Sequence, residues 1–186
     1  MVVTAWVTAL ALATMAACGG KAGPEVPMTV DSSLAPPALA NGKLMLYPDT
    51  GKTTTAAFAS TGRRALIADG RIWQIRDGDR LVGALQIATV LPRVDLRESS
   101  IRTQFTSQIL VGEVSRIRLA GQEVSVEPPS PGGKSVMVWY GLRTFQVLQL
   151  KGPDLAPEKL AEEIIRHEQT RPAWVPLPPT TEHSDS

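Results

Sequence analysis

The chain has 186 residues, of which 43% are hydrophobic and 20% charged, a composition typical of a folded globular protein rather than a disordered one. Its 19 basic and 18 acidic side chains give a formal net charge of +1, which excludes a global field that would attract nucleic acid. The single cysteine excludes an intrachain disulfide, so we expect one domain held together by its core.

Residues 1–17, MVVTAWVTALALATMAA, form an uncharged apolar segment that ends in small residues. The apolar run is shorter than the roughly 20 residues that a membrane-spanning helix needs. Small residues before a cleavage point are typical of a secretory signal peptide. Met15-Ala16-Ala17-Cys18 then resembles the lipobox of bacterial lipoproteins, in which an apolar residue and two small residues precede an obligatory cysteine.

This resemblance implies a lipid anchor at Cys18. In bacterial lipoproteins the cysteine thiol receives a diacylglyceryl group, and cleavage makes that cysteine the mature N-terminus. The resemblance thus implies lipidation at Cys18, a membrane as partner, and a location on the cell membrane or outer membrane facing outside the cytoplasm. The alternative interpretations of the same stretch are an uncleaved membrane anchor and a buried structural cysteine.

Two proline-rich stretches flank the predicted domain. Residues 18–42 are predicted to form a tether that starts at the lipidated cysteine, because four prolines and no hydrophobic period lie between positions 19 and 42. Residues 171–186 carry four more prolines and are predicted to form an extended or disordered tail. The globular domain is accordingly predicted over residues 43–170.

The first half of the domain has the pattern of β-strands. Residues 43–47 are predicted to form a strand, and residues 65–91 a three-stranded meander with turns at Asp69-Gly70 and Asp77-Gly78. Alternation places Trp73 and Ile75 on one face of the middle strand. Residues 81–91 are apolar on both faces, which indicates a central strand.

The second half combines helices with hairpins. Ile101, Phe105 and Ile109 recur every four residues and predict a helix, with Ser99 or Ser100 as its cap. Two hairpins are predicted to turn at Gly121 and near Gly141. A closing helix follows, with Asp154 as its cap and Pro157 in its first turn. Its buried stripe comprises Leu160, Ile164 and Ile165. The predicted class is α+β, an antiparallel β-sheet of hairpins with one mid-chain helix and a C-terminal helix packed on it.

Basic residues are concentrated in the middle of the chain. Ten arginines and six acidic residues lie between Arg63 and Arg118, whereas four basic and seven acidic residues follow from Lys151 onward. One interpretation is a basic face toward anionic lipid or an envelope polymer. The other is a solvated sheet surface beside an acidic helix.

Motifs for catalysis or metal binding are not recognisable in the sequence. The stretch at 50–55, TGKTTT, lacks the glycine that a phosphate-binding loop needs, because that position is Leu46. Asp77-Gly78-Asp79 is followed by residues without calcium-ligating oxygens. The two histidines belong to no cluster with metal-ligand spacing. We therefore expect no enzymatic activity, no cofactor and no metal.

Two functions remain open from the sequence. The first is a membrane-anchored, extracytoplasmic lipoprotein whose non-enzymatic domain binds or scaffolds envelope proteins. The second is a carrier or sensor of an apolar, lipid-like ligand held in a cavity. The aromatic residues that would line such a cavity, or fill an ordinary core, are Trp73, Phe105, Trp139, Tyr140 and Phe145.

Overall fold

The computed structural model describes residues 29–50, 66–129, 133–152 and 155–178. In this part of the chain the fold is α+β, as predicted: one antiparallel sheet of eight strands and two α-helices. The predicted signal peptide, Cys18, the Asp154 cap and the end of the tail lie outside the described residues.

The sheet consists of two four-stranded meanders joined side by side. Its order is β1-β2-β3-β4-β8-β7-β6-β5, so the pairing of β4 with β8 joins the two meanders at the centre. The strands are β1 (Ala38–Leu39), β2 (Leu44–Pro48), β3 (Ile67–Asp77), β4 (Arg80–Val90), β5 (Ser115–Leu119), β6 (Gln122–Glu127), β7 (Lys134–Tyr140) and β8 (Thr144–Lys151). The helices are α1 (Ser99–Ile109) between β4 and β5, and α2 (Pro157–Gln169) after β8.

The predicted turn at Asp69-Gly70 is wrong. The strand β3 runs through both residues, and the irregularity there is a register shift between Ile67 and Asp69. Asp69 also accepts a hydrogen bond from the backbone N–H of Val30 at 2.8 Å, so the carboxylate ties an earlier segment to the sheet. The region predicted as three strands is therefore one long hairpin, which turns at Asp77-Gly78 as predicted.

The later hairpins follow the sequence prediction. β5 and β6 are joined at Ala120-Gly121, and β7 and β8 at residues 141–143. β4 is central, as predicted, because it pairs with both β3 and β8. The cap predicted for α1 is wrong: Ser99 and Ser100 lie inside the helix, and no side-chain cap bond precedes it.

Each face of the sheet carries its own hydrophobic core. Trp73 and Ile75 share one face, as predicted, in a cluster that also contains the buried residues of α2. Phe105 of α1 lies in a second cluster on the opposite face, with Val138 and Phe145. Because alternate strand residues point to opposite faces, a strand covered on both sides must be apolar at consecutive positions, as β4 and β8 are.

The sheet curves around α2. The helix contacts both β1 and β5, which are the two outermost strands. A flat sheet of this width would measure roughly 34 Å across, whereas a helix of this length extends only about 20 Å. Glu163 accepts a hydrogen bond from the N–H of Ala40 beside β1, and Gln169 donates one to the carbonyl of Ala120 beside β5. The helix therefore lies on the concave side of the sheet, and it is hydrogen-bonded to residues beside both edge strands.

The folded unit begins earlier than the predicted limit at residue 43. Val30, Leu34 and Leu39 are buried in the same cluster as α2, and β1 adds a short strand to the sheet. These residues are separated by unequal intervals, so they show no helical or strand period. Each packs individually on the concave side, which is why the sequence pattern of a tether was misleading at residues 30–42.

The folded unit also extends beyond the predicted limit at residue 170. Trp174 is only 7% exposed and belongs to the concave-side cluster. The N–H of Leu142 donates to the carbonyl of Val175 at 2.7 Å, and Pro176 forms a β-bridge with Gly141. At least residues 171–176 are therefore part of the fold and not of a disordered tail.

Replacing Ile164 with alanine should destabilise the fold by about 2–4 kcal/mol, because the side chain is fully buried beneath α2 and its loss leaves a cavity. Ile164→Val is the matched control and should cost about 0.5–1.5 kcal/mol. Denaturant unfolding measures both changes. If Ile164→Ala costs less than half of its lower estimate, that is, less than about 1 kcal/mol, this face of α2 is not packed on the sheet.

Candidate functional site

The predicted lipidation residue, Cys18, lies outside the described residues, so its surroundings rest on the sequence alone. Among the residues that the structure describes, neither helix has the length and apolar character needed to cross a membrane.

The five aromatic residues considered for a ligand cavity lie on two faces of the sheet. Trp73 and Trp139 belong to the concave-side cluster, and the other three belong to the cluster around α1. Phe105 and Phe145 stack at a centroid distance of 4.9 Å. Since the sheet separates the two groups, these aromatic rings cannot line one common cavity.

A groove lies between α1 and the β5–β6 hairpin, and we call it the outer groove. Two adjoining depressions of about 250 and 180 Å³ form it, and they share Arg102, Glu123 and Tyr140. Arg116 lines the first depression and Arg118 the second. The described lining thus contains three arginines and one glutamate, which gives the groove a positive balance.

Tyr140 fixes the floor of the outer groove. Its hydroxyl donates a hydrogen bond to the carbonyl oxygen of Arg102 at 3.0 Å and shares another with Thr106 Oγ1 at 2.8 Å. The Arg102 guanidinium in turn donates to the carbonyls of Leu96 and Arg97, both at 2.7 Å. These bonds hold α1 against the sheet, so this wall of the groove is preformed.

The other wall of the groove, formed by the β5–β6 hairpin, carries the charged side chains that are more available to a ligand. Arg116 and Glu123 form a long ion pair of 3.9 Å between exposed side chains, a contact that contributes little to stability. Arg118 is exposed, and among the described residues nothing bonds its guanidinium. The β5 side of the groove can therefore offer cationic hydrogen-bond donors to an anionic group.

A buried acid on the concave side was missed by sequence reasoning. Glu168 is fully buried, and Trp139 Nε1 donates a hydrogen bond of 2.9 Å to its Oε2. Its other oxygen, Oε1, has no protein partner within the described chain. Burial raises the pKa of the Glu168 carboxyl well above its ordinary value, and the bond from Trp139 opposes this shift only in part.

A sequence signal for Glu168 does exist. The residue is four positions after Ile164, so it continues the predicted apolar stripe of the helix. It also lies in the last turn, where the helix dipole disfavours a negative charge. An acid that violates both patterns is a candidate for a buried, neutral carboxyl group.

The described residues contain no group of three histidine, cysteine or acidic side chains placed to hold a metal ion. Comparisons of the chain with protein-family models, with curated proteins and with solved structures found no match.

Proposed function

We propose that this protein is a membrane-anchored, extracytoplasmic lipoprotein whose folded domain binds or scaffolds other envelope proteins without catalysing a reaction. The observation that carries the proposal is Met15-Ala16-Ala17-Cys18, placed directly after an uncharged apolar segment. Lipidation at Cys18 would hold the domain at the cell membrane or the outer membrane, facing outside the cytoplasm.

The outer groove supports a binding role for the domain. One wall is fixed by hydrogen bonds from Tyr140 and Arg102, and the other presents exposed Arg116 and Arg118. A preformed groove with a few polar groups is typical of binding sites. The carrier alternative requires aromatic residues around one shared cavity. Their division between the two faces of the sheet favours binding at the surface instead.

The short distance along the chain from anchor to fold limits the reach of the domain. Eleven residues, 19–29, separate Cys18 from the buried Val30. Even fully extended, eleven residues span at most about 40 Å. We therefore propose that the domain works close to the membrane surface, with partners at or near the same membrane.

Replacing Cys18 with serine should release the protein from membranes. The change keeps the apolar segment but removes the thiol that would receive the lipid, and two or three acyl chains hold a protein firmly where one holds it only marginally. In a bacterial host, we expect the wild type in the detergent phase and Cys18→Ser in the aqueous phase. The mass of the mature N-terminal peptide should show acylated Cys18 in the wild type.

Equal partitioning of both chains into the detergent phase would contradict lipidation and favour an uncleaved membrane helix. An unmodified cysteine in the mature wild-type protein would contradict the anchor directly. Ile164→Val is a suitable control, because it changes the core and leaves the signal segment intact.

A further inference from the structure

The strand β5 is an edge strand with backbone groups directed away from the sheet. It is the last strand in the sheet order, and among the described strands it pairs with β6 alone. The two strands are joined by Ala120 and Gly121, whose φ values of 46° and 82° are those of a two-residue type I′ turn. Such a turn closes on a hydrogen-bonded pair, which here is Leu119 with Gln122.

The alternation of antiparallel pairing then assigns every backbone group of β5. Leu119, Ile117 and Ser115 bond to β6, whereas the N–H and C=O groups of Arg116 and Arg118 point to the open edge. Within the described ranges, no backbone hydrogen bond from outside the β5–β6 pair reaches either arginine. Unpaired edges of this kind are templates for the addition of another strand.

Charge and burial decide which strand fits this edge. Arg116 and Arg118 project their exposed side chains on the outer-groove side, while Ile117 and Leu119 pack against the concave-side core. A second copy of β5 paired with the first would bring arginines opposite arginines, which is destabilising. An extended segment with acidic residues at alternate positions would place its carboxylates beside both guanidinium groups.

We propose that the β5 edge binds an extended acidic segment of a partner protein by strand addition. The outer groove beside the edge accepts the acidic side chains, and the backbone groups of Arg116 and Arg118 bond to the added strand. This inference rests on the proposed binding role of the domain. It does not depend on lipidation, so its test uses the full chain carrying Cys18→Ser. Failure of the peptide to bind would leave the proposed anchor at Cys18 unaffected, and failure of lipidation would leave strand addition unaffected.

The test compares two variants that differ in one backbone donor. Both Arg118→Ala and Arg118→Pro remove the guanidinium, but only proline removes the outward N–H, and proline is tolerated at a strand edge where that N–H is unpaired. The probe is a fluorescein-labelled peptide of roughly eight residues in which Glu alternates with Thr, long enough to span β5. Fluorescence anisotropy should show binding to the unsubstituted edge, weaker binding to Arg118→Ala, and about tenfold weaker binding again to Arg118→Pro.

Two further comparisons test whether charge selects the peptide. The same peptide with Lys in place of Glu should not bind the unsubstituted edge, and the double variant Arg116→Glu with Arg118→Glu should reverse this preference. If Arg118→Pro unfolds, as judged by near-UV circular dichroism, Arg116→Pro replaces it, because the N–H of Arg116 points to the same open side.

Several results would overturn the proposal. They are no binding of the Glu peptide at the highest soluble protein concentration, equal binding of the Glu and Lys peptides, and equal affinity of the alanine and proline variants. A dimer in sedimentation that Arg118→Pro abolishes would assign the edge to a second copy instead.

Discussion

Trp174→Ala is expected to lower the free energy of unfolding by about 3–5 kcal/mol, although sequence patterns place the residue in a tail. The side chain is 7% exposed and packs with α2 on the concave side. A Cβ built on Gly141 would lie 2.9 Å from Trp174 Cζ3, so the ring rests directly against the β7–β8 turn. Its removal would open a large cavity where the sheet, the turn and the chain after α2 meet. Denaturant unfolding measures the loss.

Two further changes distinguish the contribution of the Trp174 ring to stability from that of its Nε1 atom and from that of the backbone bonds around it. Trp174 Nε1 is buried without a partner among the described residues, so Trp174→Phe removes an unsatisfied donor and should cost only about 1 kcal/mol. Truncation after Thr170 also removes the bond between Leu142 and Val175, and should cost at least as much as Trp174→Ala. Unchanged stability of the truncated chain would restore the domain limit predicted from the sequence.

The wild type is expected to lose stability as pH rises because of Glu168, and Glu168→Gln is expected to abolish this loss. Because burial raises the pKa of Glu168 in the folded state, the folded protein holds a proton that the unfolded chain releases above about pH 4.3. The protonated Glu168 carboxyl therefore makes its full contribution to the free energy of unfolding below that pH. This contribution should decline by up to about 1.4 kcal/mol per pH unit until the carboxyl ionises in the folded protein. Glutamine keeps an oxygen acceptor for Trp139 Nε1 but cannot ionise.

The measurement is the difference in unfolding free energy between wild type and Glu168→Gln from pH 4.5 to 8. Asp95 does not disturb this range: the hydrogen bond from Arg97 lowers the pKa of Asp95 to about 2, so its contribution is lost only on acidification below about pH 4. Glu162→Gln, on the half-exposed face of α2, is the control and should leave the slope in place. Parallel curves for wild type and Glu168→Gln would contradict a neutral buried carboxyl group.

Local patterns predicted most of the sheet correctly. The Asp77-Gly78 turn and the hairpins at Gly121 and Gly141 were predicted from residues that adopt turn conformations easily, a preference that acts within a few positions of the chain. The face shared by Trp73 and Ile75 followed from strand alternation in the same way. Asp69-Gly70 has the same turn chemistry but lies inside β3, where Asp69 pairs with Thr89 and Gly70 with Ala88 of β4. The Asp69 carboxylate meanwhile accepts a bond from Val30, which is distant in sequence.

The amino-acid sequence by itself determined the α+β class, the central position of β4, the buried stripe of α2 and the candidate anchor at Cys18, since each depends on neighbouring residues or on a short motif. Only the tertiary structure decided that Leu39 and Trp174 belong to the core, that α2 lies inside a curved sheet, and that Glu168 meets Trp139. Residues 30–42 contain only a 3-10 turn and the two-residue strand β1, and they bury single side chains without any period. Their burial therefore depends on the surface they meet and not on their own pattern. The open edge of β5 likewise follows from strand order, which no local preference encodes.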